Sequence, residues 1–358
     1  MNLEKFGWND FFAKHFQKYQ KTDFTIGRVC FERKTSYQLY TDLGDLAGEL
    51  TGKLHNNAQT RQDLPAVGDW VVIQPLLNEK RALIQEILPR RTKFSRKIAG
   101  TVSSEQIMAT NIDTLFIVVG LDNDYNLRRI ERYLIMAWET KANVVIVLNK
   151  ADLCQSLAEK IQEVTTIAPG VPILPISANE PNDLAVKFAP FLGVGQTIAL
   201  LGSSGVGKST ITNLLLGEAR QKIQEVRAGD QRGKHTTTYR ELMLLPCGAL
   251  ILDTPGLREL QLWGGEDGLA QAFGDIQQLA TECHFHNCGH SNEQRCRVKA
   301  AITEGLLTAE RFSNYQKMQV EFHALALRET KKIQMLASKK WKKRSNKAKD
   351  KDENKNRD

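Results

Sequence analysis

Thr197-Ile198-Ala199-Leu200-Leu201-Gly202-Ser203-Ser204-Gly205-Val206-Gly207-Lys208-Ser209 decides the fold of this chain. Its last eight residues satisfy the pattern G-x-x-x-x-G-K-[ST] in full. The apolar run Thr197–Leu201 reads as a buried strand, and Ser209–Leu216 reads as a helix. That strand-loop-helix context makes the pattern a phosphate-binding loop rather than a chance glycine-rich turn. Glycines let the backbone curl until successive N–H groups point at phosphate oxygens, and the helix N-terminus adds its positive end. Lys208 is placed to reach the β and γ phosphates, and the Ser209 hydroxyl, with Thr210 beside it, to serve Mg²⁺ and phosphate. The loop identifies a nucleoside triphosphate site without saying which base it takes.

The base reader lies upstream. Asn149-Lys150-Ala151-Asp152 follows the apolar run Asn143–Leu148 and has the form N-K-x-D. A carboxylate at Asp152 can accept from both guanine N1–H and the 2-amino group, a donor pair adenine lacks. Asn149 can serve the base edge or the loop, and the Lys150 stem can lie over the ring. Ser177-Ala178, after Ile173–Ile176, has the form of a loop that offers a backbone N–H to guanine O6. Downstream, Asp253-Thr254-Pro255-Gly256 ends the strand Ala249–Leu252 as a D-x-x-G element, with Asp253 toward Mg²⁺ and the Gly256 N–H toward the γ-phosphate. Gly233-Lys234-His235-Thr236-Thr237-Thr238 falls where a Mg²⁺-binding switch threonine is expected. The sequence does not choose among Thr236, Thr237 and Thr238, of which Thr236 and Thr237 are put forward as the Mg²⁺ candidates.

The order of these pieces is unusual. The base reader precedes the phosphate loop, and the switch elements come last. Circular permutation explains this without losing a contact, since the sheet survives if old termini are joined and new ones opened elsewhere. Strands alternating with helices from residue 113 onward predict a mostly parallel α/β sheet. The helix expected over Leu127–Trp138 has its apolar residues on one face.

Before this domain, Thr25–Phe31, Tyr37–Tyr40, Asp69–Gln74 and Arg81–Ile87 alternate apolar and polar residues between turn signals. Five or so short strands in about 70 residues suit a small barrel of the oligonucleotide-binding kind. Arg90-Arg91-Thr92-Lys93-Phe94-Ser95-Arg96-Lys97 then surrounds one aromatic with five cations. It reads as a nucleic-acid contact with Phe94 stacking on a base, in preference to a charged linker.

Behind the GTPase-like segment, Cys283-x4-Cys288-x-His290-x5-Cys296 offers three thiolates and an imidazole, a set that suits one closed, structural Zn²⁺. His284 and His286 are competing ligands. Helices are expected over Leu269–Ala280, Val298–Leu307 and Ala309–Leu327. The net charge of +8 resides wholly in residues 331–358, where 12 Lys+Arg face four Asp+Glu. That tail reads equally as a holder of nucleic-acid phosphates or as a solvated end. At 41% hydrophobic and 25% charged the composition is that of an ordinary globular protein, with no apolar run of membrane-spanning length. No secretory signal is legible in residues 1–20, so the expected location is cytoplasmic.

Taken together, the permuted motifs, the barrel in front and the Cys/His set behind resemble the ribosome small-subunit-dependent GTPase A family, bacterial circularly permuted GTPases of 30S biogenesis. The resemblance covers roughly residues 22–325. It implies an OB-like barrel (residues 1–98 with the N-terminal segment), a permuted GTPase domain (99–265) and a helical zinc domain with a basic tail (266–358). It implies GTP and GDP as ligands, Mg²⁺ with GTP, the 30S subunit and its 16S rRNA as partners, and a role late in 30S maturation with stimulated hydrolysis. A monomer without membrane attachment is expected. Lys208 and His235 are the catalytic candidates. Leu257 stands after Gly256, where many translational GTPases have the glutamine that orients water, and His235 can swing in instead. A solvent-exposed loop histidine is the alternative. Three other readings of the whole compete: a metabolic P-loop ATPase or kinase, an RNA-binding protein whose nucleotide is a structural or regulatory ligand, and a GTPase of another RNA particle, which only the resemblance excludes.

Overall fold

The computed structural model describes residues 3–20, 22–33, 36–97, 105–217, 240–253, 266–291, 293–324, 326–327 and 330. Two compact units emerge: Met1–Arg96 with Gln106–Gly274, and Lys97–Glu105 with Asp275–Asp358.

The first unit is organised by one sheet of eleven strands. β1 (Thr25–Glu32), β2 (Tyr37–Thr41), β3 (Gly44–Leu50), β4 (Trp70–Leu76) and β5 (Arg81–Ile87) form its N-terminal part. Their order is β1-β2-β3-β5-β4, and β4 returns to pair with β1, so the five strands close into a barrel. Helix α1 (Asp10–Phe16) precedes them, and α2 (Gly52–Asn57) lies between β3 and β4. The order and the helix placement suit an oligonucleotide-binding barrel. Val29, Leu39, Val71, Ile73 and Ile84 fill its interior at zero exposure. Alternation predicted four of the five strands within one or two residues at each end. The third was missed because Gly44, Asp45, Gly48 and Glu49 dilute its pattern.

Within Arg90–Lys97, Phe94 and Arg90 do not form the nucleic-acid contact that the composition suggested. Phe94 is buried at 2% exposure and so cannot stack on a base. The Arg90 guanidinium is bidentate to the buried Asp69 carboxylate at 2.8 and 2.6 Å and also donates to the Gln62 and Leu64 carbonyls. Arg91 pairs with Asp113. Part of the stretch forms β6 (Lys93–Lys97), which pairs with β7 (Glu105–Thr110) in a separate ribbon. Cations and an aromatic in sequence do not reveal which of them the fold turns inward.

The rest of the large sheet is the α/β part. It consists of β8 (Thr114–Gly120), β9 (Asn143–Asn149), β10 (Ile173–Pro175), β11 (Thr197–Leu201), β12 (Glu241–Leu244) and β13 (Leu250–Asp253), in spatial order β10-β9-β8-β11-β13-β12. All neighbours are parallel except β12 against β13. β8 and β11 are buried along their whole length, as strands covered on both faces must be. Helices α3 (Leu127–Glu139), α4 (Leu157–Ile167), α5 (Pro181–Phe188) and α6 (Lys208–Leu216) connect them, and α7 (Glu266–Ala272) packs on α3.

Two features join barrel and α/β part. Phe31 of β1 pairs with Glu241 of β12, so the ladder is continuous. At the joint, the guanidinium of Arg28, 1% exposed, donates to Gly68 O at 3.3 Å, Asn111 O at 3.2 Å, Thr197 Oγ1 at 2.8 Å and Phe6 O. Every acceptor is neutral. Burial therefore pulls the Arg28 pKa down to about 10, against the more distant charges of Asp113 and Asp69. Phe6 belongs to an N-terminal arm that sequence patterning did not foresee. Trp8 and Phe12 of this arm pack on Trp70, and Phe6 stacks on Tyr40.

In the second unit, the single helix expected over Leu269–Ala280 is two, α7 and α8 (Gly274–Thr281), the first of them belonging to the larger unit. Gly274, a poor residue for a helix interior, starts the second. α9 (Arg297–Thr303) and a helix through 309–324 follow. Arg311 forms a bidentate pair with Asp275 at 2.8 Å on both arms, tying the last helix to the first. Among the described residues no helix is long and apolar enough to cross a membrane.

Candidate nucleotide site and metal centre

The C-terminal ends of β8, β9, β10, β11 and β13 lie along one edge of the sheet, where open α/β sheets bind ligands. Parallel register fixes the pieces. Gly120 faces Asn149, Leu201 faces Ile117, and Ala199 faces Leu252. Asp253, half-buried, is therefore level with Leu200, two residues short of the phosphate loop.

The loop itself depends on close packing. Gly202 has φ 157°, and a Cβ there would sit 2.2 Å from Val118 O. Gly207 has φ 97°, and its Cβ would sit 2.2 Å from Asn149 Nδ2. Glycine at 207 thus makes room for the base reader as well as adopting the left-handed conformation. Lys208 Nζ donates to Gly202 O at 2.8 Å and to Ser203 O, which folds the ammonium over the cradle. Ser209 and Thr210 are half-buried on the first turn of α6.

Asn149 is 1% exposed. Its Nδ2 donates to Val206 O at 2.7 Å, and its Oδ1 accepts from the Ala178 N–H at 3.2 Å. Of the two roles open to it in sequence, the geometry gives it the loops: it clasps the phosphate loop and the Ser177-Ala178 loop to the end of β9. The N–H expected to face guanine O6 is donated to Asn149 here. Lys150 adopts φ 63°, and its ammonium is paired with Asp122 Oδ2. Burial by itself raises the Asp122 carboxyl, but Lys150 and the Asp124 N–H outweigh it and hold the group below its usual value. Asp152 is exposed, and its Oδ2 accepts from Asn179 Nδ2 at 3.2 Å. Ser177 is buried, and its Oγ accepts from the Asn179 N–H. Asp122 and Asn179 have no motif of their own, so sequence reading passed over them. His235, Thr236, Thr237 and Gly256 lie outside the described residues.

The metal-binding candidate is in the second unit. The ligand atoms of Cys283, Cys288, His290 and Cys296 all lie within 4.8 Å of one another. Cys283 Sγ is 3.6 Å from His290 Nδ1 and 4.0 Å from Cys296 Sγ, and His290 Nδ1 is 3.4 Å from Cys296 Sγ. A zinc tetrahedron with bonds of about 2.3 Å to sulfur and about 2.0 Å to nitrogen has edges of roughly 3.5–3.8 Å. The donor set fits. Glu293 shapes its loop by accepting from the Gly289 and Ser291 N–H groups at 2.9 and 2.7 Å. His284 and His286 are exposed and stand outside the group.

A base-reading strand (β9), a phosphate-loop strand (β11) and a D-x-x-G strand (β13) on one sheet, with β8 between the first two and the base reader first in the chain, define a circularly permuted P-loop GTPase fold. Two solved structures share it. YjeQ from Thermotoga maritima superposes with a TM-score of 0.62 at 24% identity, over 84% of this chain and 98% of that one. YloQ, described as a circularly permuted GTPase, superposes with 0.60 at 21% identity, over 84% and 96%. The family profile for RsgA GTPase matches residues 87–263, and one for 50S ribosome-binding GTPase matches 197–339. The protein named small ribosomal subunit biogenesis GTPase RsgA in Opitutus terrae is 44% identical over 354 residues, 96% of each chain. RsgA 2 of Lactiplantibacillus plantarum is 44% identical over 83% of each chain, and RsgA 1 of Oceanobacillus iheyensis 40% identical over 96% of this chain and 97% of its own. The chain belongs to the RsgA GTPase family.

Proposed function

We propose that the protein hydrolyses GTP to GDP and phosphate, slowly alone and faster on the small ribosomal subunit, and acts late in maturation of that subunit. The observation that carries this reading is the clasp at Asn149, which sets an N-K-x-D base reader against a phosphate loop. The end-to-end identity with a relative named for small-subunit biogenesis supports the choice of partner. One matching profile is described by the 50S subunit, whereas the relatives aligned over nearly their whole length are named for the small subunit; we follow the relatives, because that profile begins only at β11.

In this reading Asp152 selects guanine, and Asn149, Lys150, Ser177 and Ala178 frame the base. Gly202 through Thr210 hold the phosphates. Ser209, Asp253 and one of Thr236 and Thr237 hold Mg²⁺, which neutralises charge on the transferring phosphoryl group. Lys208 leaves the loop carbonyls for the β and γ oxygens, the Gly256 N–H faces the γ-phosphate, and His235 orients the attacking water. Cys283, Cys288, His290 and Cys296 hold one zinc that shapes the second unit without entering the chemistry. The segments 1–98, 99–265 and 266–358 divide the work into barrel, GTPase and zinc domain. The protein works as a cytoplasmic monomer on 16S rRNA.

Multiple-turnover phosphate release tests this with purified 30S subunits, 50S subunits and neither. Stimulation by 30S alone is expected. Stimulation by 50S alone reassigns the partner. No turnover in any arm, with tight GTP binding, leaves an RNA-binding protein with nucleotide as ligand. His235→Ala hydrolysing at the full stimulated rate removes that residue from the mechanism.

A further inference from the structure

The phosphate-loop pattern asks nothing of its second position, yet Ser203 is not idle. Its Oγ accepts from Arg129 Nη1 at 2.8 Å and lies 3.2 Å from the Tyr133 hydroxyl. Arg129 and Tyr133 are four residues apart on α3 and so share one face of it. Arg129 is held in turn by the Asp124 carboxylate. The Asp124 N–H donates to Asp122 Oδ1 at 3.0 Å, and Asp122 Oδ2 takes the Lys150 ammonium of the base reader. A continuous chain of polar contacts therefore runs from base reader to phosphate loop through the connection between β8 and α3.

We propose that Arg129 is a positioning residue of the nucleotide site: through Ser203 it braces the first half of the phosphate loop against α3 and slows nucleotide release. The inference rests on the GTPase reading above. The Ser203 carbonyl accepts from Lys208, and a phosphate that draws Lys208 away gives up that tie. The side-chain tie to Arg129 then holds the loop, with its N–H groups aimed at the phosphates. Bracing of this kind keeps the site from reorganising when it binds. Fold stability does not need Arg129, because Ile130, Leu134 and Ile135 anchor α3 at 1% exposure or less.

Dissociation of a fluorescent GDP from the full chain tests this, in wild type, Arg129→Ala, Arg129→Lys, Ser203→Ala and the double Ala variant, with Tm recorded for each. Arg129→Ala and Ser203→Ala are each expected to release GDP about tenfold faster. That factor corresponds to about 1.4 kcal/mol, the low end for a charge-assisted bond on a partly exposed side chain. The double variant should be no faster than either single one, because both remove the same contact. Lys at 129 should recover part of the loss, and Tm should not move. GDP release unchanged in both single variants overturns the proposal, as do effects that multiply in the double variant. A fall in Tm in step with the faster release reduces Arg129 to a structural residue. A wild-type chain that binds no guanine nucleotide refutes the GTPase reading instead, so the two failures are distinct.

Discussion

Asn149→Ala removes two hydrogen bonds from the middle of the nucleotide site. The bond to Val206 O, at 2.7 Å, serves a residue that is only 2% exposed, so the carbonyl loses a partner where water reaches poorly. An orphaned buried acceptor costs about 1–3 kcal/mol. The longer bond from the Ala178 N–H, at 3.2 Å, joins a half-buried loop that water can solvate and adds about 0.5–1 kcal/mol. The sum, about 1.5–4 kcal/mol, is shared between fold stability and nucleotide affinity, because the same contacts set the loop spacing. Asn149→Asp keeps the shape and the Oδ1 acceptor but turns an oxygen toward Val206 O and buries a charge. It should be worse than Ala although it is the smaller change. Urea denaturation and GTP titration of the three proteins give the ranking. The wild type should exceed Asn149→Ala, which should exceed Asn149→Asp, with GTP affinity at least about tenfold lower in the Ala variant. An Asn149→Ala protein with wild-type midpoint and affinity, or an Asp variant above the Ala one, refutes the clasp.

Three further outcomes are expected. Asp152→Asn should weaken GTP by about a hundredfold, the loss of two bonds to a charged acceptor, while leaving weak ATP binding unchanged in the same titration. Arg28→Ala should lower stability by about 3–5 kcal/mol in thermal or chemical unfolding, since it strands four buried oxygens. Arg28→Met, which fills the volume without burying a charge, should lose less. Strong chelation, or Cys296→Ser, should release one zinc per chain by atomic absorption and expose the segment after Asp275 to protease, with GTP binding retained.

What could be read in the sequence was what chemistry had already narrowed. A phosphate cradle needs glycines and a lysine at fixed spacing, and a tetrahedral zinc needs four soft ligands close together. Gly202–Ser209 and Cys283–Cys296 therefore announce themselves. The β strands of the α/β part were legible because burial on both faces leaves long apolar runs. Residues whose role depends on a distant partner were silent. Arg129 meets Ser203 across 74 positions of chain, and Arg28 meets Thr197 across 169. Nothing in a run such as Leu127-Arg128-Arg129-Ile130 tells a solvated arginine from one that braces a loop. Phe94 failed in the opposite sense: its basic surroundings advertised a surface, and the fold put it inside.

The ladder that carries β1 into β12, riveted by Arg28, has a consequence for recognition. Two surfaces on a flexible tether search for their targets separately, and the second finds its own at a concentration set by the tether's length. Two surfaces on one sheet arrive together, at a fixed spacing and angle. A macromolecule gripped by the barrel then meets the nucleotide edge at an effective concentration that no linker dilutes, provided its own two sites match that spacing. The continuous sheet thus fixes the distance between the barrel and the nucleotide edge.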